Sequence, residues 1–433
     1  MKILFVSPAL VNKNYFNDII RWINIKFILG FGKSLTFPIL KALTPEKHDV
    51  EFVEGSYSDI NYDTHYDLIG ITTITPYSYL AYEIADEFRR RGVKVVIGGW
   101  HASALPEEAK QHADAVVIGE AEDTWPELIN DFEKGGLKPF YITKQSVDPA
   151  TIPRPRVDIF PKRTRISVQA TRGCPYSCEF CSLINDKFGK KLRMRPIDDV
   201  IEDISLIPNK GFFFIDNSLT VNPSYTKELF RRMKCLNKFF SAYGNIDVLG
   251  RDEELLKIAK EAGCRTWYIG LESVCQKSID SIRKHTNRVD NYISSIKKIH
   301  EYGMNVMGSF VLGFDNDTMN VFNETDEFIR KSEIDMPLFN ILTPYPGTPL
   351  YDRLNSEGRI LTRDWSKYDL EHVVFQPKNM SPEELVSKIK WIRDRQYNIL
   401  TTTSRIIKSV KQGPNIFLET LAMNNFRMLK NLK

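Results

Sequence analysis

The chain has 433 residues, of which 42% are hydrophobic, 12% aromatic and 26% charged, and its formal net charge is +4. This length exceeds that of one ordinary domain and the composition supports hydrophobic cores of normal size, so we expect two or three globular domains. A charge this small for the length gives no reason to expect nucleic acid as the main partner.

The N-terminus "MKILFVSPAL" predicts a first buried strand rather than a secretory signal, because its apolar run is short and Ser7-Pro8 ends it. No stretch reaches the roughly 18 uninterrupted apolar residues of a membrane-spanning helix. We therefore predict a cytoplasmic protein whose six cysteines stay reduced. In that setting, clustered cysteines indicate a metal site rather than disulfides.

Residues 1–142 alternate strand-like and helix-like patterns, which predicts an α/β domain with a doubly wound, flavodoxin-like parallel sheet. The strand candidates are β-branched and apolar throughout, as expected for strands buried on both faces. Such a sheet binds ligands in a crevice at the carboxyl ends of its strands. The strand candidates are Lys2–Pro8, Asp49–Gly55, Asp67–Thr75, Lys94–Gly99 and Ala115–Glu120.

Residues 143–164 contain four prolines and almost no periodicity, which predicts a linker.

A second strand–helix series occupies residues 165–358. Six units are too few for a closed eight-stranded barrel, so we predict a partial (β/α)6 barrel with its site at the carboxyl ends of the strands. Residues 359–433 predict a mainly helical extension, in which Ser381 and Pro382 begin a helix. The strand candidates of the barrel are Arg165–Thr171, Gly211–Asn217, Phe239–Ile246, Cys264–Ser273, Asn305–Phe314 and Met336–Thr348.

Three of the six cysteines, Cys174, Cys178 and Cys181, form a C-x-x-x-C-x-x-C array directly after the first strand of the predicted barrel. Structural zinc sites usually combine two close pairs of cysteines, and the other three cysteines of this chain are isolated. A cubic iron–sulfur cluster normally takes one cysteine per iron, so three cysteines leave one iron open for chemistry. The array therefore favours a [4Fe-4S] cluster, with zinc or coincidence as the alternatives.

This motif, with Phe180 before the third cysteine of a six-unit barrel, resembles the radical S-adenosylmethionine (SAM) superfamily. The resemblance implies that SAM binds the open iron and that an electron from the cluster cleaves it to a 5′-deoxyadenosyl radical, which abstracts hydrogen from an unactivated carbon. It also implies a reduced flavodoxin or ferredoxin-type electron donor. The residues that the resemblance assigns to SAM binding are Phe180, Asp216, Asn217, Glu272 and Gly308.

The segments "GGWHASALPEEA" and "ADAVVIGEAEDTWPEL" resemble the cobalamin-binding-type domain of one large radical SAM class. That class often methylates substrate radicals with methylcobalamin, so the resemblance implies a cobalamin-dependent methyltransferase. Asp63-x-His65 fits only part of the D-x-H-x-x-G motif of cobalt-ligating histidines, and we interpret His65 as an exposed loop residue. The residues that the resemblance places in loops facing the corrin are Thr73, Thr75, Gly98, Gly99, His101, Gly119 and Glu120.

Two alternatives remain open from the sequence. Some relatives keep the N-terminal domain without cobalamin and catalyse carbon–carbon coupling or ring formation, and the C-terminal extension resembles that of a subgroup with lipid-modifying members. The alternative outside the enzymes is a non-catalytic iron–sulfur sensor or scaffold.

Residues 401–433 combine six Lys/Arg and one Glu with apolar residues, which suits either a terminal helix packed on the barrel or peripheral membrane contact. The sequence does not identify the substrate, which we expect to be a small molecule or a lipid.

Overall fold

The computed structural model describes residues 1–9, 33–160, 166–184, 189–410, 417–421 and 424. Among these residues, no helix is both long enough and apolar enough to cross a membrane. Most of the predicted basic tail lies outside the described residues.

The first sheet contains six strands, all parallel to their neighbours: β1 (Lys2–Pro8), β2 (Asp49–Gly55), β3 (Leu68–Thr72), β4 (Lys94–Gly98), β5 (Ala115–Ile118) and β6 (Phe140–Ile142). The order across the sheet is β2-β1-β3-β4-β5-β6, which confirms the flavodoxin-like arrangement. The prediction omitted β6, because an edge strand this short carries no recognisable period.

Helices cover both faces of this sheet, which explains the lack of polar alternation along its inner strands β3, β4 and β5. Leu4 and Val6 of β1 pack in one apolar layer, whereas Ile3 and Phe5 pack in the opposite layer. Among the described residues, the helices of this part of the chain are α1 (Thr36–Leu43), α2 (Ser78–Arg90), α3 (Trp100–Ala104), α4 (Pro106–Gln111) and α5 (Thr124–Glu133).

The remaining strands of the described residues belong to the predicted barrel: β7 (Ser167–Val168), β8 (Thr171–Arg172), β9 (Arg193–Met194), β10 (Gly211–Phe214), β11 (Phe239–Tyr243), β12 (Cys264–Glu272), β13 (Asn305–Leu312) and β14 (Met336–Ile341). Six of them form a parallel sheet in the order β14-β13-β12-β11-β10-β7. This agrees with the partial barrel of six units. The other two, β8 and β9, pair antiparallel on either side of the cysteine array.

Helices follow the barrel strands and bury one large apolar core against them. The helices around the barrel are α6 (Ile197–Leu206), α7 (Pro223–Met233), α8 (Ile246–Arg251), α9 (Glu253–Glu261), α10 (Gln276–Ser281), α11 (Tyr292–Glu301), α12 (Val321–Ser332) and α13 (Pro349–Ser356).

As far as residue 410, the C-terminal extension includes the helices α14 (Pro382–Gln396) and α15 (Ile399–Ser409). Ser381 caps α14 as predicted: its hydroxyl accepts a hydrogen bond from the Glu384 amide, and the Glu384 carboxylate accepts one from the Ser381 amide. Upstream of α14, the Trp365 indole donates a hydrogen bond to Glu108 at 3.1 Å. The extension therefore contacts the first sheet's helices as well as the barrel.

Candidate active site

The cysteine array lies on a loop between β8 and β9, at the carboxyl end of the barrel. Gly173 begins this loop with a φ of +79°, and a Cβ there would collide with the backbone oxygen of Lys191, so the two arms of the loop approach closely only because residue 173 is glycine. The Glu179 amide donates to the Ile282 carbonyl at 3.1 Å, and the Leu350 amide donates to the Glu179 carbonyl at 3.2 Å. The loop is thus held by backbone bonds to two other parts of the barrel.

All three cysteines of the array are free and partly exposed. Burial raises the pKa of Cys178 to about 12 and raises the pKa values of Cys174 and Cys181 above their ordinary range, while the Lys284 ammonium opposes this shift. Such thiols ionise when a cation such as iron is bound to them, which fits the donor set of a cluster. In the described part of the chain, no three His, Cys, Asp or Glu side chains converge as ligands of a single ion.

A buried ion pair lies beside the array. Lys284 donates to the Glu272 carboxylate and, at 2.9 Å, to the Gly270 carbonyl. Burial opposes the charge on Lys284, but Glu272 and the cysteine thiols raise its pKa above the ordinary value. Glu272 ends β12 with a φ of +63°, a strained conformation for a residue other than glycine. Sequence analysis missed Lys284, because nothing in its local pattern shows that it folds back onto a strand end.

A cavity of about 300 Å³ opens at the barrel mouth next to this ion pair. Asn217 and Glu272, two of the predicted SAM-binding residues, line it together with Lys284. The rest of its wall is mainly apolar or aromatic and includes Tyr243, Tyr268, Met307 and Leu338. The cavity therefore combines one charged edge with a wall suited to an organic ring or chain.

Two other predicted SAM-binding residues lie outside this cavity. Phe180 packs in an apolar cluster with Phe314, at 6.4 Å between ring centroids. A Cβ on Gly308 would come within 3.0 Å of Leu271 and 3.1 Å of Ile334, so the glycine allows close packing behind the strand. The structure thus accounts for both residues by packing, and the prediction that they contact SAM remains a prediction.

The structure places the carboxylate of Asp216 differently from its predicted contact with the SAM amine. Asp216 is fully buried and accepts hydrogen bonds from the Thr171 amide, the Thr171 hydroxyl at 2.7 Å and the Ala170 amide at 3.1 Å. Burial raises its pKa to about 6, although these hydrogen bonds lower it. Asp216 therefore holds the turn between β7 and β8, upstream of the cysteine loop.

A second cavity of about 380 Å³ lies where the two sheets face each other. Four of the residues predicted to face the corrin line it, namely Gly98, Gly99, Gly119 and Glu120. A Cβ on Gly99, whose φ is +98°, would come within 2.6 Å of the Thr73 backbone oxygen, so only glycine fits this wall without distortion. The barrel contributes Gln169, Arg172, Gly173 and Asn217 to the same cavity.

The other three residues predicted to face the corrin are buried behind this wall. Thr73, Thr75 and His101 do not line the cavity, and the His101 ring is fully buried. Its Nδ1 lies 3.3 Å from the Thr75 hydroxyl and its Nε2 lies 3.2 Å from the Glu108 carboxylate, which also accepts the Trp365 indole. In the structure, His101 connects the first sheet's helices to the C-terminal extension through Glu108, and its predicted position facing the corrin remains a prediction.

His65 lies on an exposed loop as predicted, with 87% of its side-chain surface accessible. Its Nε2 is 3.6 Å from the Asp67 carboxylate. A residue so exposed, before β3, has no contact with the cavity between the sheets.

Comparison with known proteins explains this combination of two cavities and a cysteine loop. Residues 168–329 match the Radical SAM superfamily and residues 41–129 match the B12 binding domain. The bacteriochlorophyllide d C-8(2)-methyltransferase of Chlorobaculum tepidum is 35% identical over 370 residues, which cover 79% of this chain and 81% of that relative. The C-12(1)-methyltransferase of the same organism is 30% identical over 410 residues, covering 90% and 88%.

The chain belongs to the radical SAM superfamily. Its B12-binding domain and its similarity to the two methyltransferases place it among the cobalamin-dependent radical SAM methyltransferases. The predicted cofactors, a [4Fe-4S] cluster, SAM and cobalamin, are thereby confirmed. The fold is also that of the radical SAM methyltransferase TsrM from Kitasatospora setae, with a TM-score of 0.68 and 14% identity over 90% of this chain and 88% of TsrM.

Proposed function

We propose that this radical SAM enzyme methylates an unactivated carbon of a large, mostly apolar substrate held between its two cavities. Asn217 carries this proposal, because it lines both the cavity at the barrel mouth and the cavity between the sheets. A substrate atom beside Asn217 is within reach of both cavities.

The chain's own residues are assigned by their positions around these cavities. Cys174, Cys178 and Cys181 would hold the [4Fe-4S] cluster, which when bound would supply the electron for reductive cleavage of SAM, and bound cobalamin would supply the methyl group. Glu272 and Asn217 orient SAM at the barrel mouth, where the Glu272 carboxylate accepts hydrogen bonds from hydroxyl or ammonium donors.

Glycines and Glu120 shape the site of the corrin. Gly98, Gly99 and Gly119 leave the carboxyl edge of the first sheet without side chains, which provides room for a flat macrocycle. Asp216 keeps the barrel turn in place without entering either cavity.

The substrate class follows from the wall of the barrel cavity. Tyr243, Tyr268, Met307 and Leu338 present aromatic and apolar surface, whereas the charges there are confined to Glu272 and Lys284. The two bacteriochlorophyllide methyltransferases act on tetrapyrroles, so a tetrapyrrole is the first substrate class to test. A lipid is the second candidate, since the same wall suits an apolar chain.

The test is an anaerobic reaction with reconstituted enzyme, hydroxocobalamin, dithionite and SAM carrying a CD3 methyl group, with bacteriochlorophyllide d as the probe. We expect 5′-deoxyadenosine and a product that gains one CD3 group by mass spectrometry. Coupling or ring formation without label would contradict methylation and favour the cobalamin-free alternative. No 5′-deoxyadenosine with bacteriochlorophyllide d, a lipid extract or no substrate would favour a non-catalytic iron–sulfur protein.

The electron donor and the location complete the proposal. A reduced flavodoxin or ferredoxin-type protein in the cytoplasm is the reductant, because the cluster requires electrons of low potential.

One side of α15 packs on the rest of the protein through Arg405 and Lys408, whose partners are Gln396 and Glu333. Its other side exposes 83% of Leu400 and 63% of Ile407, and the basic tail follows. This supports peripheral contact with an anionic membrane, which sedimentation with vesicles of anionic and neutral lipid tests.

A further inference from the structure

Four charged side chains form a buried ion cluster between the first sheet and the barrel. We define this interdomain ion cluster as Glu120, Glu122, Arg172 and Arg193. Arg193 binds Glu120 through two hydrogen bonds, of 2.7 and 2.8 Å, and Arg172 lies 2.5 Å from Glu122 and 3.6 Å from Glu120. Each of the four side chains exposes only 9% to 12% of its surface.

The ion cluster joins two structural features that the function requires to be close. Glu120 and Glu122 lie on the loop after β5 and line the cavity between the sheets. Arg172 ends β8 and Arg193 begins β9, the two paired strands from which the cysteine loop projects. One carboxylate pair of the corrin cavity is therefore bound to both arms of the cysteine loop.

The linker joins the same ion cluster. The Val147 amide donates to Glu120 at 2.8 Å, and Arg193 donates to the Val147 carbonyl. Glu120 and Arg193 thus hold three segments together: the loop after β5, the linker and the strand after the cysteine loop.

The free energy of burying charges favours a role for the interdomain ion cluster in positioning the two domains rather than in stabilising them. Buried ion pairs give little net stability, because the desolvation of both charges offsets their attraction. The two carboxylates and the two guanidiniums of the cluster have no net charge together. The bidentate pair fixes the distance and the relative orientation of the Arg193 and Glu120 side chains. In some proteins, buried ionic groups select one relative arrangement of the parts they join, and the geometry of this cluster suits that role.

We infer that the interdomain ion cluster sets the register of the corrin cavity against the cysteine loop, with Arg193 as a positioning residue for cobalamin. Arg193 does not line the cavity and acts through Glu120, which does. When Arg193 is replaced, Glu120 loses its bidentate partner and turns or draws in water, so the wall of the cavity shifts. Cobalamin binding then weakens although no residue beside the corrin has changed.

The test compares Arg193→Gln and Arg193→Lys with a control, Arg195→Lys, in cluster-loaded enzyme. Arg195 lies two residues away, with similar burial, and pairs with Asp203 at 2.7 Å. It also donates to the Gln169 backbone carbonyl at 3.1 Å, a bond that the Lys variant can keep, and both of these partners belong to the barrel. The readouts are the dissociation constant of hydroxocobalamin from absorbance titration, the iron content and the rate of 5′-deoxyadenosine formation.

We expect a dissociation constant about tenfold higher in Arg193→Gln, within the usual range for coupling between sites. We expect a smaller increase in Arg193→Lys, which keeps the charge without the bidentate geometry, with full iron in both and no change in the control. If Arg193→Gln does not fold, the dissociation constant of hydroxocobalamin measured for Arg193→Lys tests the inference. Unchanged cobalamin affinity, an equal effect in Arg195→Lys, or loss of iron alone would overturn the inference.

Discussion

Replacing Asp216 tests whether this buried carboxylate stabilises the barrel or binds SAM. In Asp216→Ala, the amides of Ala170 and Thr171 and the Thr171 hydroxyl lose their acceptor in a fully buried position. An unsatisfied buried donor costs about 1–3 kcal/mol, so we expect the free energy of unfolding to fall by about 3–5 kcal/mol after partial relaxation. This turn leads through β8 into the cysteine loop, so iron content should fall as well.

Asp216→Asn separates the hydrogen bonds from the charge. Its side-chain oxygen still accepts from Thr171 and Ala170, while the cost of burying a charge disappears. We therefore expect Asp216→Asn to be at least as stable as the wild type at pH 7.5.

The pH dependence of stability gives an independent check on Asp216. Because burial raises its folded-state pKa to about 6, the folded enzyme holds this proton more tightly than the unfolded chain. The proton on Asp216 therefore contributes about 3 kcal/mol to the free energy of unfolding. This contribution is fully present below the unfolded-state pKa of about 4 and is lost as the pH rises through about 6. Asp216→Asn should lack this contribution.

The assay is urea unfolding of cluster-loaded enzyme at pH 5.5 and 7.5, with SAM affinity measured by equilibrium dialysis. Because Asp216 bonds only to the barrel turn, we expect normal SAM affinity in Asp216→Asn. If Asp216→Asn keeps its stability but binds SAM more than about tenfold more weakly, Asp216 contacts SAM as the sequence predicted and the structural role is refuted.

Three further substitutions test the site. Cys178→Ser should lower iron content and abolish 5′-deoxyadenosine formation, while the exposed Cys235→Ser serves as its control; full iron in Cys178→Ser would contradict the assigned cluster. Lys284→Met leaves the Glu272 carboxylate buried without its partner and should cost about 3–5 kcal/mol in urea unfolding, with partial recovery in the double variant with Glu272→Gln. No recovery would show that the ion pair is not the cause. Gly99→Ala introduces a Cβ 2.6 Å from a backbone oxygen and should weaken hydroxocobalamin binding about tenfold at unchanged iron content; wild-type affinity would refute the assigned wall.

Local patterns were sufficient for the architecture. Uniformly apolar strands such as Ala115–Ile118 indicated a sheet covered on both faces, and the spacing of Cys174, Cys178 and Cys181 indicated a cluster loop. Short edge strands were missed, as β6 illustrates, because three residues show no period. The domain boundaries at residues 142, 164 and 358 remain predictions.

The assignment of individual site residues was less complete, because side-chain direction depends on contacts distant in sequence. Gly98, Gly99, Gly119, Glu120, Asn217 and Glu272 line the cavities as their positions at strand ends suggested. Asp216 and His101 also lie near strand ends, yet both point into the protein. A strand alternates its faces, and sequence alone does not show which neighbour takes each hydrogen bond.

By itself, the sequence determined the chemistry of this protein: three thiols on one loop, a parallel sheet rich in glycine at its carboxyl edge, and a six-strand barrel. These follow from spacing and hydrophobic period, which are local properties of the chain. Only the tertiary structure brought Lys284 to Glu272 and Arg193 to Glu120, pairs separated by 12 and 73 positions. Burial makes the loss of one partner of such a pair costly, although the intact pair adds little net stability, and burial is a property of the folded protein as a whole.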